Sequence, residues 1–586
     1  MCGIVGYIGK EKRALNVLIN GLEYLEYRGY DSAGIAYIYN DDLIIKKEVG
    51  KIANLKKIVN FNNESNIGIG HTRWATHGVA NKINSHPHRH GLITLVHNGI
   101  IENYLELKKE LLLKKYNFKS DTDTEVAAVL IYDLYLKTND MIRTIKLFKE
   151  KVKGTYAILL ICDKEPDNLY VIKKGSPLII GIGNDANYVS SDILAIMEYT
   201  NKYIVLNDYE YAKINKDKIW LYGKNDSEIL PDIKEIKLSN EVINKNGYDH
   251  YMLKEIHEEP NIIKQDIDFK EIPDIRKYKQ IIIVGCGSAM HAGYIGKYLI
   301  ETYGNIPVSV EIASEFRYKK LFLNNDSLVI AISQSGETAD TLEAIKIANS
   351  NNVDTLGIVN VRESSIAREV KQVVYTEAGR EIAVATTKAY LAQIKVLILM
   401  AYKISNNKWQ KEEEFNRLSY IAKNIIDNEE IYLNIAKKIH NKNDIFFIGR
   451  GIDYALCMEG SLKLKEISYI HSEAYPAGEL KHGTISLIEE GSPVIGIVTD
   501  KTIASKTISN LKEVKARGAY VIYITHEELD INGDFYDEKI VIPSTEYLFL
   551  PLITIIPLQL IAYYIAKINN CDIDKPKNLA KSVTVE

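Results

Sequence analysis

Cysteine is scarce in this chain of 586 residues, with five in all. They stand far apart, and no two form a C-x-x-C pair: Cys2, Cys162, Cys286, Cys457 and Cys571. This spacing argues against a zinc ribbon or a disulfide framework and is typical of a protein in a reducing compartment. We therefore expect a cytoplasmic location.

A large excess of charge is also missing, since the formal net charge is only -4. The sequence thus offers no surface of one sign for nucleic acid or for an anionic membrane. The opening MCGIVGYIGKEKR places its basic residues after the apolar run, the reverse of a secretory signal. One uncharged segment, 547–566, has the length of a spanning helix but contains two prolines and a glutamine. We expect a buried strand followed by a buried helix there, and no membrane partner.

The length of the chain predicts several domains, since one domain per ~150 residues would give three or four. Up to about residue 240, short alternating apolar runs predict strands at 68–72, 92–97 and 157–161, with helices near 13–25 and 102–115. This pattern indicates an α+β domain with stacked sheets. A polar stretch at 238–259 reads as a connector.

Beyond the connector, a strand–turn–helix pattern occurs twice. Strands at 280–285 and 444–449 each lead into a Gly-x-Gly turn, and the two turns are 164 residues apart (449 minus 285). Further strands at 328–333 and 494–499 occupy matching places. Strands that alternate with helices predict parallel sheets, so we expect two α/β domains of common ancestry.

Both Gly-x-Gly turns lack the third glycine of a dinucleotide fingerprint, because Met290 and Tyr454 stand in its place. NAD is therefore not expected, and no other cofactor is indicated. His86, His88 and His90 alternate as metal ligands could, but no carboxylate or thiol cluster accompanies them in sequence and Pro87 interrupts the alternation. We do not expect a metal site.

The segment Ser333-Gln334-Ser335-Gly336-Glu337-Thr338 follows a strand and precedes a helix. One interpretation is a phosphate site, in which hydroxyls and backbone N–H groups gather at a helix N-terminus. The other is a simple N-cap, a serine before the helix with Glu337 in its first turn. The segment taken alone does not separate them.

Cys2 also has two interpretations. If Met1 is removed, the thiol carries a free α-amine whose reference pKa of about 7.7–8.0 suits it to accept the thiol proton. Alternatively, any protein can have a cysteine beside its initiator methionine. Further along, Arg73 could clamp a carboxylate, Asn98 and Gly99 could hold an oxyanion, and Asp123 could bind an amine. Each of these features alone could instead reflect the preference of such residues for turns.

Taken together, the motifs carry a resemblance. MCGIVGYIG, LEYRGYDSAG, HTRWATHG, HNGIIEN and SDTDTE, in that order, resemble the N-terminal-nucleophile glutamine amidotransferase domain. SQSGETADT, ATTKAY, LKLKEISYIHSEAYPAGELKHG and the terminal KPKNLAKSVTVE are similar to the glutamine–fructose-6-phosphate aminotransferase (isomerizing) family. The resemblance runs over essentially the whole chain.

For the first domain, the resemblance implies hydrolysis of glutamine to glutamate and ammonia. Cys2 matches the nucleophile and Asn98 and Gly99 the oxyanion donors. Arg73 and Asp123 match the residues that hold the glutamine. Two further matches are Trp74, the gate of the ammonia passage, and Arg28, in a matching loop.

For the later domains, the resemblance implies a sugar-phosphate site. The pocket residues are matched by Ser288, Ser333, Gln334, Ser335, Thr338 and Lys463. Glu466 matches the base that moves a proton between C1 and C2, and His482 the ring-opening residue donated by the neighbouring subunit. Lys581 matches the lysine that forms a Schiff base with the ketose, while Glu459 lines the same region. A homodimer follows from the role of His482.

The implied fold is an α+β N-terminal-nucleophile hydrolase sandwich, with stacked β-sheets between helices, followed by two α/β sugar-isomerase domains with parallel sheets. We expect domains at 1–240, 271–430 and 431–570, a linker at 241–270 and an active-site tail at 571–586. The implied activity converts fructose 6-phosphate and glutamine to glucosamine 6-phosphate and glutamate, as a transaminase at the first step of the hexosamine (UDP-N-acetylglucosamine) pathway. The partners are thus small-molecule substrates.

One departure from the family pattern lies after the first Gly-x-Gly turn, where Ser288 is followed by Ala289 instead of a second hydroxyl residue. We expect somewhat weaker binding of fructose 6-phosphate. Two other hypotheses compete with the synthase: a non-enzymatic sugar-phosphate sensor, and a different amidotransferase that makes asparagine or a purine precursor. The sensor would need neither Glu466 nor Lys581, and the other amidotransferases lack the isomerase pair.

Overall fold

The computed structural model describes residues 2–26, 29–74, 78–235, 244–405 and 411–584. The chain divides into two compact units, Met1–Val242 with Ser582–Glu586, and Ile243–Lys581. Arg28 and His77 lie outside the described residues, as does Met1.

The first unit contains two antiparallel sheets. Its strands are β1 (Gly3–Gly9), β2 (Ser32–Tyr39), β3 (Asp42–Val49), β4 (Ile67–Arg73), β5 (His88–His90), β6 (Ile93–Ile101), β7 (Gly154–Cys162), β8 (Leu169–Lys174), β9 (Ile179–Ile182), β10 (Ala186–Ser190), β11 (Lys202–Val205), β12 (Tyr211–Ile214), β13 (Ile219–Tyr222), β14 (Glu228–Ile229) and β15 (Ile233–Glu235). An eight-stranded sheet has the order β15-β11-β9-β10-β1-β4-β2-β3, and a seven-stranded sheet the order β14-β13-β12-β8-β7-β6-β5.

The two sheets stack face to face, with helices on their outer faces. Ile4 and Ile69 of one sheet share a buried cluster with Val96 and Leu159 of the other. The helices are α1 (Ala14–Leu25), α2 (Ile52–Ile58), α3 (Tyr104–Leu113), α4 (Asp123–Thr138) and α5 (Met141–Lys151). Helix α1 packs on the first sheet and α4 on the second. This arrangement confirms the predicted sandwich.

The second unit alternates helices and strands. Its elements are α6 (Tyr251–Lys264), β16 (Gln280–Gly285), α7 (Ser288–Gly304), β17 (Val308–Ile312), α8 (Ala313–Phe316), β18 (Ser327–Ser333), α9 (Ala339–Ser350), β19 (Asp354–Val359), α10 (Ser365–Glu369), β20 (Gln372–Tyr375), α11 (Lys388–Ile404), α12 (Lys411–Asp427), α13 (Glu429–Ile439), β21 (Asp444–Gly449), α14 (Ile452–Ser468), β22 (His471–Pro476), β23 (Pro493–Val498), α15 (Ala504–Lys515), β24 (Tyr520–His526), β25 (Glu538–Ile542) and α16 (Leu550–Ile568).

The two halves of this unit repeat one topology. Two parallel five-stranded sheets have the orders β17-β16-β18-β19-β20 and β22-β21-β23-β24-β25. The turns before α7 and α14 also match, because Gly287 has φ 55° and ψ -129° and Gly451 has φ 58° and ψ -126°. Both glycines lie in a region that L side chains avoid, so the Gly-x-Gly pattern has a backbone cause. The two parallel α/β domains are therefore confirmed.

Two segments differ from the sequence expectation in detail. Residues 251–259, placed in a polar connector, form the first part of α6, and Met252 and Ile256 are buried in the core of the second unit. In the segment 547–566 there is no strand before the helix; a turn at 547–549 leads directly into α16. Helix α16 is apolar enough to cross a membrane, with a mean hydropathy of 1.6, but 89% of that window is buried inside the protein. It is the core helix of its unit.

Candidate functional site

Cys2 opens onto a pocket at the start of β1. The pocket has about 270 Å³ of space not filled by atoms, part of it open to solvent, and is lined by Cys2, Arg73, Trp74, His86, His97, Gly99, Thr122, Asp123 and Thr124. It lies where the ends of β4 and β6 meet the N-terminus of α4. The tertiary fold thus gathers residues that are up to 122 positions apart into one small cavity (124 minus 2).

The thiol of Cys2 is half-buried and has a polar partner. The backbone N–H of Trp74 donates to Sγ at 3.2 Å. Burial raises the pKa of Cys2, while the Trp74 N–H and the positive charge of Arg73 act in the opposite direction. The other cysteine of this unit, Cys162, is fully buried within β7, so Cys2 is the thiol that reaches the pocket.

Asn98 and Gly99 lie beside Cys2, at the end of β6. The Asn98 amide donates to the backbone carbonyl of Cys2 at 2.9 Å, and His71 Nε2 contacts Asn98 Oδ1 at 3.1 Å. Burial lowers the pKa of His71 to about 3, so its neutral ring fixes the direction of the Asn98 amide. Gly99 has φ 126°, and a Cβ there would come within 2.2 Å of the Thr155 carbonyl oxygen.

A buried cation and a buried carboxylate complete this pocket. Arg73 is 3% exposed at the end of β4 and donates to the carbonyl of Gly78 at 3.0 Å. Asp123 is 4% exposed at the start of α4 and accepts the N–H of Ile101 at 2.8 Å. A helix N-terminus stabilises a carboxylate there. The pair offers an anion-binding and a cation-binding group within the same cavity as the thiol.

The histidines near this pocket form a buried, neutral stack. The rings of His71 and His86 lie 3.9 Å apart, and those of His86 and His88 5.0 Å apart. Burial lowers the pKa of both His86 and His88 well below the usual value. His90 instead contacts two tyrosine rings. Within the described ranges, no three His, Cys, Asp or Glu side chains are grouped as ligands for a metal ion.

In the second unit, the hydroxyl-rich segment 333–338 forms a tight loop. Ser333 Oγ accepts the N–H of Gly336 and contacts Thr338 Oγ1, both at 3.0 Å. Helix α9 begins only at Ala339, and the side chain of its N-cap Thr338 makes no capping bond. The simple N-cap interpretation is therefore wrong, because no serine caps the helix and Glu337 precedes its first turn.

Ser288 belongs to a network that joins α7 to α14. Ser288 Oγ donates to Glu459 Oε1 at 2.8 Å, and His291 Nδ1 lies 2.8 Å from Glu459 Oε2. Lys463, 1% exposed, pairs with Glu466 at 2.5 Å and with Glu459 at 3.4 Å. Burial would lower the pKa of Lys463, but the two carboxylates raise it above its usual value. The lysine therefore stays charged in the core.

Lys581 lies in a separate buried contact of the same unit. Its Nζ pairs with the carboxylate of Glu381 and donates to the carbonyl of Ala383 at 2.7 Å. The side chains of the pair are 4% and 0% exposed. A cation near the end of the chain is thus held at a fixed place in the core.

Comparison with known proteins gives a consistent result over the whole chain. A glutamine amidotransferase domain matches residues 71–198, and a SIS domain matches residues 274–403 and 438–568. Glutamine–fructose-6-phosphate aminotransferase (isomerizing) of Caldanaerobacter subterraneus subsp. tengcongensis is 47% identical over 612 residues, covering 100% of both chains. The enzyme of that name from Clostridium tetani is 47% identical over 613 residues with the same coverage.

This chain belongs to the glutamine–fructose-6-phosphate aminotransferase family. A solved structure supports the assignment for the second unit: the C-terminal domain of glucosamine-fructose-6-phosphate aminotransferase from Francisella tularensis is 38% identical, with a TM-score of 0.53. It covers 56% of this chain and 99% of its own. A tagatose-6-phosphate ketose/aldose isomerase described as putative, from Clostridium novyi, shares the fold alone, at 19% identity and a TM-score of 0.51.

In this member of the aminotransferase family, the structure brings the residues matched by the amidotransferase motifs into one pocket. In the second unit it gathers Ser288, Glu459, Lys463 and Glu466 in one network. His482 is different, because it lies exposed on a short 3-10 turn, Glu479–His482. No hydrogen bond or ion pair in the described part of the chain joins it to Glu466 or Lys581.

Several site residues of this aminotransferase family member were missed by the sequence analysis as functional positions. His71 orients Asn98, and Glu381 holds Lys581. Thr122 caps α4 next to Asp123 and lines the pocket. His71 and Thr122 stand inside the quoted motifs HTRWATHG and SDTDTE, which were a usable signal. Glu381 stands in no quoted motif, and only its contact with Lys581 reveals it.

Proposed function

We propose that this protein makes glucosamine 6-phosphate and glutamate from fructose 6-phosphate and glutamine, as a transaminase at the start of the hexosamine pathway. The observation that carries the proposal is that full-length relatives of this name align with both units, and each unit contains the buried polar groups its half-reaction needs. The proposed partners are these small molecules, with no nucleic acid and no membrane, in the cytoplasm.

In the first half-reaction, the Cys2 thiolate attacks the side-chain amide carbon of glutamine. Arg73 binds the α-carboxylate and Asp123 the α-amine, because these buried groups of opposite sign face the cavity that contains the thiol. Asn98 and the N–H of Gly99 stabilise the oxyanion. The α-amine of Cys2, freed by removal of Met1, accepts the thiol proton. The protonated α-amine then gives this proton to the leaving nitrogen, so that ammonia departs, and water hydrolyses the resulting thioester to release glutamate.

In the second half-reaction, the hydroxyl loop and Ser288 bind the sugar phosphate, and Lys581 activates the ketone as an imine. The loop side chains of Ser333, Gln334, Ser335 and Thr338 suit a phosphate because they precede the start of α9, where Thr338 makes no side-chain capping bond and the helix dipole favours an anion. Glu466 moves a proton between C1 and C2, with Lys463 beside it as a fixed positive charge.

Ammonia must reach the sugar without protonation by water, so we propose an internal passage with Trp74 as its gate. Trp74 lies directly at the thiol, where its N–H binds Cys2 Sγ. His482 opens the sugar ring from a neighbouring subunit, since it is exposed on its own chain. This role requires a homodimer.

The test is a pair of variants assayed for three activities. Cys2→Ala should abolish glutamine hydrolysis and amino-sugar synthesis while it spares isomerisation of fructose 6-phosphate to glucose 6-phosphate. Lys581→Ala should do the reverse and retain glutamine hydrolysis. Wild-type protein that binds fructose 6-phosphate yet forms no amino-sugar from glutamine would support the sensor hypothesis instead.

A further inference from the structure

The loop 381–383 surrounds the amine of Lys581. Glu381 supplies a carboxylate oxygen and Ala383 a backbone carbonyl, the latter 2.7 Å from Nζ. Glu381 and Lys581 are 200 residues apart in sequence. Both side chains are almost completely buried, and Glu381 is the carboxylate that pairs directly with Lys581 in the described part of the chain.

Glu381 is arranged to remain an anion. Its Oε1 accepts the N–H groups of Thr387 at 2.9 Å and Ala389 at 3.0 Å, at the start of α11. Thr386 Oγ1 donates to Oε2 at 2.7 Å. Burial would raise the pKa of Glu381, but Lys581 and these donors hold it below its usual value.

A second carboxyl group, Glu255, supports the loop from the opposite side. Glu255 lies on α6, 2% exposed, and its Oε1 accepts the backbone N–H groups of Ile382 and Ala383, the latter at 3.3 Å. Its Oε2 is buried and has no hydrogen-bond partner among the described residues. Burial and the nearby charge of Glu381 raise the pKa of Glu255 to about 8.

The two carboxyl groups therefore differ in state at neutral pH. Glu381 is ionised against Lys581, and Glu255 is a neutral acid that accepts two N–H bonds. Two like charges that lie close together in a buried site repel each other strongly, so ionisation of one carboxyl group raises the pKa of the other. Lys388 and Lys581 are the positive groups that face Glu255.

We propose that Glu381 is the counter-ion and proton acceptor of Lys581 during imine formation, and that Glu255 is a positioning residue for the 381–383 loop. This inference rests on the Schiff-base role proposed for Lys581. The Lys581 ammonium transfers a proton to Glu381, and the neutral amine adds to the ketone at C2. When the carbinolamine loses its hydroxyl group as water, Glu381 returns the proton to the leaving oxygen. The iminium cation then lies where the ammonium was, beside the regenerated carboxylate.

The test measures isomerisation of fructose 6-phosphate by the full-length protein and trapping of the imine with borohydride. Glu381→Gln should lower kcat about 100-fold or more, as loss of an acid–base group does, with little change in KM. The borohydride adduct on the Lys581 peptide should form correspondingly slowly. Glu381→Asp keeps the negative charge but moves it away from Lys581 because the side chain is shorter. Its kcat should lie between the values for Glu381→Gln and the wild type.

Glu255 is tested by a conservative pair of variants. Glu255→Ala removes the acceptor for the loop N–H groups and should lower kcat roughly tenfold, in the range of a lost supporting contact. Glu255→Gln keeps the accepting oxygen and should restore most of that loss. Glu259→Gln is the matched control, since Glu259 is buried one turn further on α6 and, among the described residues, makes no hydrogen bond to the loop or to Lys581.

The outcomes separate this inference from the function on which it rests. A wild-type rate of isomerisation and of adduct formation in Glu381→Gln would overturn the role of Glu381 and leave Lys581 in place. Equal losses in Glu255→Ala and Glu255→Gln would overturn the positioning role. No adduct on Lys581 in an active wild-type protein would remove the Schiff-base assignment and this inference with it.

Discussion

At the scale of single residues, the chemistry of Cys2 depends on groups that surround it in space. Burial alone makes this thiol harder to ionise, and the Trp74 N–H and Arg73 counteract that effect. The free α-amine proposed for Cys2 would further promote ionisation of the thiol, because it accepts the thiol proton directly. The nucleophile role proposed for Cys2 thus depends on these neighbours.

Gly99 offers a residue-scale prediction for the first pocket. Gly99→Ala forces a side chain into φ 126° and within 2.2 Å of the Thr155 carbonyl oxygen. We expect a loss of about 3 kcal/mol in unfolding free energy of the first unit, from backbone strain and overpacking, and loss of glutamine hydrolysis. Calorimetry and a glutaminase assay measure both.

The matched control is Gly247→Ala, which also has a positive φ, 87°, but no atom within 4 Å of the added Cβ. It should cost much less stability. Similar losses in the two variants would assign the effect to backbone conformation and not to the contact with Thr155.

Glu259 gives a prediction about pH. Burial raises its pKa well above the usual value, so the folded state binds a proton that the unfolded state releases above its own pKa. The contribution of Glu259 to stability is therefore present at low pH and decreases as pH rises towards the folded pKa. Glu259→Gln keeps the shape without the titration.

We expect the stability advantage of Glu259→Gln over the wild type to grow as pH rises above the unfolded-state pKa, by at most about 1.4 kcal/mol per pH unit and only while the pH stays below the folded-state pKa. Calorimetry of the full-length protein at pH 5.5 and 8.0 measures it. An advantage that does not change between these two pH values would show that Glu259 is not a buried neutral acid.

At the scale of elements, the proposed sugar-phosphate site depends on where helices begin. Helix α7 begins at Ser288 and α9 at Ala339, and neither has a side-chain cap. The N-terminal end of each helix carries a partial positive charge that favours an anion. Glu459 and Lys463 are four residues apart on α14, which places both on one face against α7.

Ala289 gives the element-scale prediction. It occupies the first turn of α7, next to Ser288, where a hydroxyl could add a bond to the sugar phosphate. Ala289→Ser should lower the KM for fructose 6-phosphate about threefold to tenfold, the worth of one hydrogen bond, with kcat little changed. Steady-state isomerase kinetics measure this, and the KM for glutamine is the internal control. An unchanged KM for the sugar would refute the explanation.

At the scale of the whole molecule, exposed His482 and buried Lys581 predict an active site shared between subunits. His482→Ala and Lys581→Ala should each be inactive in isomerisation when prepared alone. In a mixed dimer, one of the two sites combines an intact Lys581 with the partner's intact His482, so the separated mixed dimer should have about half of the wild-type activity.

Mixed dimers are separated by two affinity tags, and sedimentation gives their mass. Co-expressed dimers without isomerase activity would place His482 and Lys581 in the same chain's site. A monomer with full activity would contradict the homodimer itself.

The fold class and most of the first pocket were predictable from the sequence, because they rest on local patterns. Alternating apolar runs, strand–helix alternation and the Gly-x-Gly turns each reflect a local backbone preference. The motifs around Cys2, Arg73 and Asp123 occur in the same order as in the glutamine amidotransferase domain. The helix over residues 251–259 was not predicted, because its many polar residues are typical of a connector. Its few apolar residues form a face that packs in the core, which only the tertiary structure shows.

The sequence by itself determined the chain's family and its two kinds of fold, and it predicted which side chains react. Only the tertiary structure decided which groups surround them. Glu381 meets Lys581 across 200 residues, and Glu255 supports that loop from another helix. Such contacts form only when elements distant in sequence approach each other and become buried. Burial lowers the local dielectric constant and so strengthens the interaction between these charges, and no local sequence pattern encodes it.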